Sequence, residues 1–271
     1  MTTPKVPEPD YLRHLARESA RFAAALETAA ADARVPSCPD WDAQDLLWHL
    51  AEVQWFWGQV VRNRLTSTEE VTRLDVVRPA RQPDVAEFYA KASSDLQAVL
   101  AAAEPQTRAW TWADEQTVGF IRRRQAHEAL IHRVDAELTA GQRTAMDPRL
   151  SADGIDEALR IMYGGTVPAW GDFAPAGGST LRIQATDTGD SWFLTLGRFS
   201  GTDPDDGKSY DRPAIHAAEH DPGTAAAATV RADAADLDCW LWHRPPLGTV
   251  ERTGDVDTLA SFDSIIADGV Q

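Results

Sequence analysis

The stretch Gln125-Ala126-His127-Glu128-Ala129-Leu130-Ile131-His132-Arg133-Val134-Asp135, read together with His49, decides how this chain is understood. On a helix each residue advances by about 100°, so Glu128 and His132, four apart, lie about 40° from each other and one turn apart. Two ligand-type side chains are thereby aimed at one point. A third from another helix would complete a half-open metal site, and His49, inside a second amphipathic segment, is the candidate. Two histidines and one carboxylate leave at least one coordination position for water or substrate, as a catalytic metal requires. His127-Glu128 followed by His132 also looks like the H-E-x-x-H pattern of zinc proteases. That pattern needs its histidines four apart; here they are five apart, about 140° around the helix, and cannot chelate one ion. His127 therefore falls outside the ligand set, in a structural or solvent-facing place.

The first half of the chain reads as helices. Tyr11 to about Ala31 carries Leu12, Leu15, Phe22, Leu26 and Ala29 at helical spacing. The loop Val35-Pro36-Ser37-Cys38-Pro39-Asp40-Trp41 follows. Asp42, with Asp45 three residues on, is placed to cap a second helix from about Ala43 to Arg64. Asp84 is read as the cap of a third helix reaching about Ala102. The fourth helix spans about Thr117 to Thr139, with Gly141 as its stop. Four helices in this length fit a bundle, and bundles build metal sites from inward-facing side chains of different helices.

The second half changes character. Ser151 is read as the cap of a helix from Ala152 to Tyr163, followed by Gly and Pro punctuation. Short apolar or alternating runs at Ser179–Ala185, Ser191–Leu196 and Ala225–Ala232 read as strands. Asp233 caps a helix through Leu237 and Leu241, and a last helix covers Asp257–Ile266. The fold class expected is α+β, with a boundary at Asp147-Pro148 that separates domains 1–147 and 148–271.

Composition narrows the function classes. The chain has 271 residues, with 42 acidic against 26 basic. Phosphate binding needs a surplus of Lys and Arg, so this balance argues against nucleic acid and anionic membrane surfaces as partners. No apolar run approaches the roughly 20 residues of a spanning helix. The first ten residues lack the apolar core of a signal peptide, so the expected location is the cytoplasm. Two cysteines, Cys38 and Cys239, exclude a disulfide framework.

Each candidate residue has a bland competitor. For Glu128, His132 and His49 it is a buried Glu–His pair that satisfies itself by hydrogen bonding. Arg133 and Asp135 read as an ion pair or as groups that orient the ligands. Cys38 could be a fourth ligand or a nucleophile, against an ordinary loop residue. Trp41, Trp48, Trp55 and Trp57 read as core, with some able to line an apolar pocket. Arg244 is a candidate binder of a substrate carboxylate, against a surface arginine.

The segments Pro36-Ser37-Cys38-Pro39-Asp40-Trp41, Asp45-Leu46-Leu47-Trp48-His49-Leu50, Ala126-His127-Glu128 and His132-Arg133-Val134-Asp135-Ala136-Glu137-Leu138 resemble the mycothiol-dependent maleylpyruvate isomerase family. Asp40 stands where that family usually has Gly. The resemblance implies a DinB-like four-helix bundle followed by a smaller mixed α/β domain similar to sterol-carrier-protein folds, with Cys239 to Pro246 as its best-matching stretch. It further implies a divalent metal, usually zinc, held by His49, Glu128 and His132, and mycothiol as thiol co-substrate. A thiolate would add to a conjugated double bond, rotation would follow, and elimination would return the trans isomer; in an S-transferase the adduct would persist. An arginine, here Arg244, would hold the substrate carboxylate or the enolate. Two other classes compete: a non-catalytic module that binds metal or a small ligand, and a metal-dependent hydrolase. The hydrolase would need a general base, for which Asp45 and Glu52 are the nearby carboxylates.

Overall fold

The structure, a computed structural model, describes residues 9–267. Its contacts divide the chain between Ala145 and Met146 into two units. The first holds α1 (Tyr11–Thr28), a hairpin of β1 (Arg34–Val35) and β2 (Cys38–Asp42), α2 (Ala43–Arg62), a single turn α3 (Thr68–Val71), α4 (Gln82–Ala102) and α5 (Val118–Thr139). The four long helices make the bundle: α1 packs along α5, α2 along α4, and α2 meets α5.

Local chemistry sets the helix ends. The Asp42 carboxylate accepts from the backbone N–H groups of Gln44 and Asp45, both at 2.9 Å, while Asp45 accepts from the Asp42 N–H at 3.2 Å. This reciprocal capping box starts α2 seven residues before His49. Thr117 caps α5 by accepting from the Phe120 N–H at 3.1 Å, and Gly141, at φ 67°, ends the helix in a left-handed turn. Asp84 does not cap α4. That helix starts at Gln82, with Pro83 in its first turn, and Asp84 instead pairs with Arg81, the capping residue.

Leu15 and Phe22 of α1, Leu46 and Leu50 of α2, Leu96 and Leu100 of α4, and Ile121 of α5 are fully buried. Helix α5 also carries polar side chains inward. Arg133 is wholly buried: Nε donates to Glu18 of α1 at 2.9 Å, and Nη1 donates to Glu137 at 2.9 Å and to the Thr144 hydroxyl at 3.1 Å. Arg21 joins through Glu137 at 3.3 Å. This ionic cluster fixes the rotation of α5 against α1, and with it the direction in which Glu128 and His132 point.

The second unit contains α6 (Pro148–Glu157), which continues into a wider π-helical turn over Ala158–Met162, then β3 (Gly171–Ala185), β4 (Ser191–Thr202), β5 (Ser209–Ala217), β6 (Ala228–Ala232), α7 (Ala234–Leu241), β7 (Glu251–Gly254) and α8 (Val256–Ile266). The sheet order is β5-β4-β3-β6-β7, antiparallel except for the parallel pair β3–β6. Leu181, Ile183, Leu194 and Val230 of the strands form one core with Ile155, Leu159, Leu237, Leu241 and Phe262 of the helices. The chain is thus α+β as expected. Helix α6 starts earlier than Ser151: Asp147 caps it, accepting from Arg149 and Leu150 N–H at 3.1 Å, because Pro148 suits the first helical position. Strands β5 and β7 lie at the two sheet edges, and the sequence reading did not anticipate them. Glu251-Arg252-Thr253-Gly254 is wholly exposed, and β5 contains Pro213, so neither has a clear alternation.

The Arg133 cluster is testable. Removing the guanidinium takes from Glu18 and Glu137 their shared buried partner and leaves them the partly exposed Arg17 and Arg21, so Arg133→Ala should lower stability by about 1.5–3 kcal/mol. Urea unfolding followed by helical circular dichroism measures it; a loss below about 0.5 kcal/mol, the range of ordinary surface changes, would show that the cluster does not hold α5 on α1.

Candidate metal centre

Among the described residues, one group of three or more ligand-type side chains converges: the ligand atoms of His49, Glu128 and His132 all lie within 4.8 Å of one another. His49 comes from α2, and the other two come from one face of α5. Glu128 Oε1 lies 3.1 Å from His132 Nε2 and 3.5 Å from His49 Nε2. The two imidazoles stand edge to face, with centroids 4.7 Å apart. A tetrahedral ion bonded at about 2.0–2.1 Å separates its donors by about 3.3 Å, close to both distances from Glu128. Two imidazoles and a carboxylate are also a donor set that suits zinc and other divalent transition metals. The residues therefore fit a divalent cation. The site is partly open, with His49 32% and Glu128 18% exposed in their side chains.

Surrounding groups orient the three. Asp135 Oδ2 lies 2.9 Å from His132 Nδ1, which turns Nε2 of that ring toward Glu128 and His49. Asp135 is fully buried, and its other oxygen accepts from the Ser37 hydroxyl. Arg124, one turn before Glu128, donates to Glu128 Oε2 at 3.1 Å, so Oε1 is the oxygen that faces the histidines. Trp41 lies against His49 at 4.8 Å between centroids.

These contacts set the charges. Burial opposes the charge on His132, but hydrogen bonds to Asp135 and Glu128 outweigh it and raise its pKa from 6.5 to about 9. Burial opposes the Glu128 carboxylate too, yet hydrogen bonds from His132 and His49 and the nearby positive charges hold it well below the usual carboxylate range.

Of the remaining sequence candidates, Asp135 orients a ligand, whereas Arg133 belongs to the ionic cluster on α1. His127 is buried, not solvent-facing, with Tyr11 edge-on at 6.3 Å. Cys38, half-buried in β2, does not join the converging group. Asp45 is engaged by Arg78 at 2.6 Å as well as in its cap, and Glu52 is exposed. Trp57 is core, stacked on Trp110, and Trp48 packs on Phe88. Arg244 lies in the second unit just after α7, half-buried, donating to the Trp242 carbonyl. Arg124 and Ser37 were missed by the sequence reading. Arg124 is detectable as a cation four residues before Glu128 on the same face; Ser37 carries no local signal.

The chain is a two-unit α+β protein whose helical bundle presents a partly open cluster of two histidines and a carboxylate. Residues 12–137 match the mycothiol maleylpyruvate isomerase N-terminal domain, and residues 149–261 match the C-terminal domain of the same family. The chain belongs to the mycothiol-dependent maleylpyruvate isomerase family and is an isomerase-like enzyme of that type. No curated protein matches it in sequence. Two crystal structures titled as the mycothiol-dependent maleylpyruvate isomerase, one of them a histidine-to-alanine mutant, share its fold. The mutant superposes with a TM-score of 0.59 and the other with 0.55; each is 12% identical, over 94% of this chain and 98% of theirs.

The raised His132 pKa has a signed consequence. In metal-free protein its contribution to stability is whole below pH 6.5 and is lost as pH rises through about 9. The Tm of chelator-treated protein should fall across that interval, and His132→Gln should flatten the fall. A bound cation must displace the same proton, so zinc affinity should rise toward pH 9. A flat wild-type Tm profile would contradict the assignment of this charge.

Proposed function

We propose that this enzyme is metal-dependent and uses mycothiol to interconvert cis and trans forms of an unsaturated carbonyl acid. The convergence of His49, Glu128 and His132, in a chain of this family, is the observation that carries the reading. A divalent ion, zinc by its donor set, would lower the pKa of a bound thiol so that a thiolate is present at neutral pH.

The protein's own groups do the positioning. Asp135 orients His132 so that its Nε2 lone pair is offered to the site once the proton leaves. Arg124 engages one Glu128 oxygen and leaves the other to ligate. Three protein donors leave room for a small ligand, and the partial exposure of His49 and Glu128 leaves the site open to solvent. In the substrate, the conjugated double bond accepts sulfur at one carbon and becomes a single bond. It rotates, and loss of the same thiol restores the double bond in trans form, so no atom is gained or lost overall. Arg244 is our candidate for holding the substrate carboxylate, because a guanidinium matches a carboxylate with two parallel donors. If the adduct is released before elimination, the same groups serve an S-transferase. The acidic balance of the chain supports small-molecule partners over nucleic acid.

Elemental analysis of wild type beside His49→Ala and Glu128→Ala tests the metal. About one divalent ion per chain, lost in both variants together with mycothiol-dependent turnover of maleylpyruvate, is the expected result. No metal in wild type, with both variants folded, would leave a non-catalytic bundle. Metal-dependent turnover without thiol would replace the isomerase with a hydrolase.

A further inference from the structure

We infer that the β1–β2 hairpin is a working part of the metal centre: Ser37, acting through Asp135, and Trp41, packed on His49, hold the two histidine rings in their ligating orientation. The inference rests on the metal reading above. Its basis is that one short element touches the His49 ring directly and reaches the His132 ring through Asp135. The Ser37 hydroxyl donates to Asp135 Oδ1, and Asp135 Oδ2 lies 2.9 Å from His132 Nδ1. Four residues further along, the Trp41 ring lies 4.8 Å from the His49 ring at 43°. The two rings thus braced are 4.7 Å apart.

The hairpin is built to hold position. Val35 is fully buried in the bundle core, and the Ala43 N–H donates to the Ala33 carbonyl at 2.9 Å, closing the hairpin onto the start of α2. Pro36, in the turn beside Ser37, and Pro39, in β2, restrict the backbone around Ser37. Asp42, the last hairpin residue, is the capping residue of the helix that bears His49. The Asp135 carboxylate is fully buried, so an unmade hydrogen bond to its outer oxygen would be costly and would loosen the oxygen that faces His132. Ser37 and Trp41 are accordingly positioning residues, and neither is a ligand.

The test uses the full chain with zinc and cobalt(II) as probes. Zinc affinity is measured by competition with a chromophoric chelator, and ligand orientation by the visible spectrum of the cobalt(II) form. Asp135→Ala should weaken zinc by about 10- to 100-fold. Ser37→Ala should weaken it by about 3- to 10-fold, the worth of one hydrogen bond. It should also shift the cobalt spectrum, and Ser37→Thr, which keeps the hydroxyl, should restore both readings. In the Asp135→Ala background, Ser37→Ala should have no further effect, because its route to the metal is gone. Trp41→Ala should alter the same spectrum, and Trp41→Phe should leave it. Thermal melts establish that each variant is folded; if Asp135→Ala is not, Asp135→Asn keeps the volume and takes its place. Unchanged affinity and spectrum in Ser37→Ala, or an undiminished Ser37 effect without Asp135, overturns the inference while the metal site stands. A wild type that binds neither ion overturns the metal reading and this inference together.

Discussion

Helix α5 must satisfy two sets of buried polar groups at once, and the bundle is arranged around that requirement. Arg124, Gln125, His127, His132, Arg133, Asp135 and Glu137 are all buried on a single helix. Each such group costs free energy unless it finds a partner. Arg133 and Glu137, four apart, meet Glu18 and Arg21 of α1 on one side. Glu128, His132 and Asp135 occupy another side, toward α2 and the hairpin. Rotating or sliding α5 by one residue would break both sets together. The ionic cluster is thus also what aims the ligand pair.

The candidate centre shows how carboxylate oxygens are divided between tasks. Glu128 gives one oxygen to Arg124 and one to the histidines. Asp135 gives one to Ser37 and one to His132. Each carboxylate thereby presents a defined atom in a defined direction. Without a cation, His132 carries a proton that both carboxylates stabilise, which is why its pKa rises despite burial. The same low-dielectric surroundings would strengthen the hold on a divalent ion in that proton's place.

The second unit reaches its fold by a different logic. Its central strands β3, β4 and β6 bring Leu181, Ile183, Leu194, Leu196 and Val230 into one core, and their apolar runs are visible in the sequence. Its edge strands β5 and β7 are held by backbone pairing to neighbours such as Leu196, opposite Ile215, and Val230, opposite Arg252. Backbone pairing is indifferent to side-chain alternation, so segments with Pro213 or with four exposed residues join the sheet unannounced. Helix starts at Pro148 and Gln82 shifted for a similarly local reason: proline in the first helical turn set the start, ahead of the expected caps Ser151 and Asp84.

Periodicity and spacing alone determined much of this protein. The four long helices, the capping box at Asp42, the stop at Gly141 and the pairing of Glu128 with His132 on one face follow from rules that act within a few residues. The exclusion of His127 from the ligand set follows from the same helical geometry. Tertiary structure alone decided the rest. It brought His49 to within 3.5 Å of Glu128, across a long sequence gap that no local rule bridges. It also placed Ser37 on Asp135, buried His127 against Tyr11, and sent Arg133 to Glu18 instead of the site. The division is physical: spacing along one helix fixes which side chains share a face, but which neighbour meets that face depends on how helices pack, and packing is a property of the whole chain.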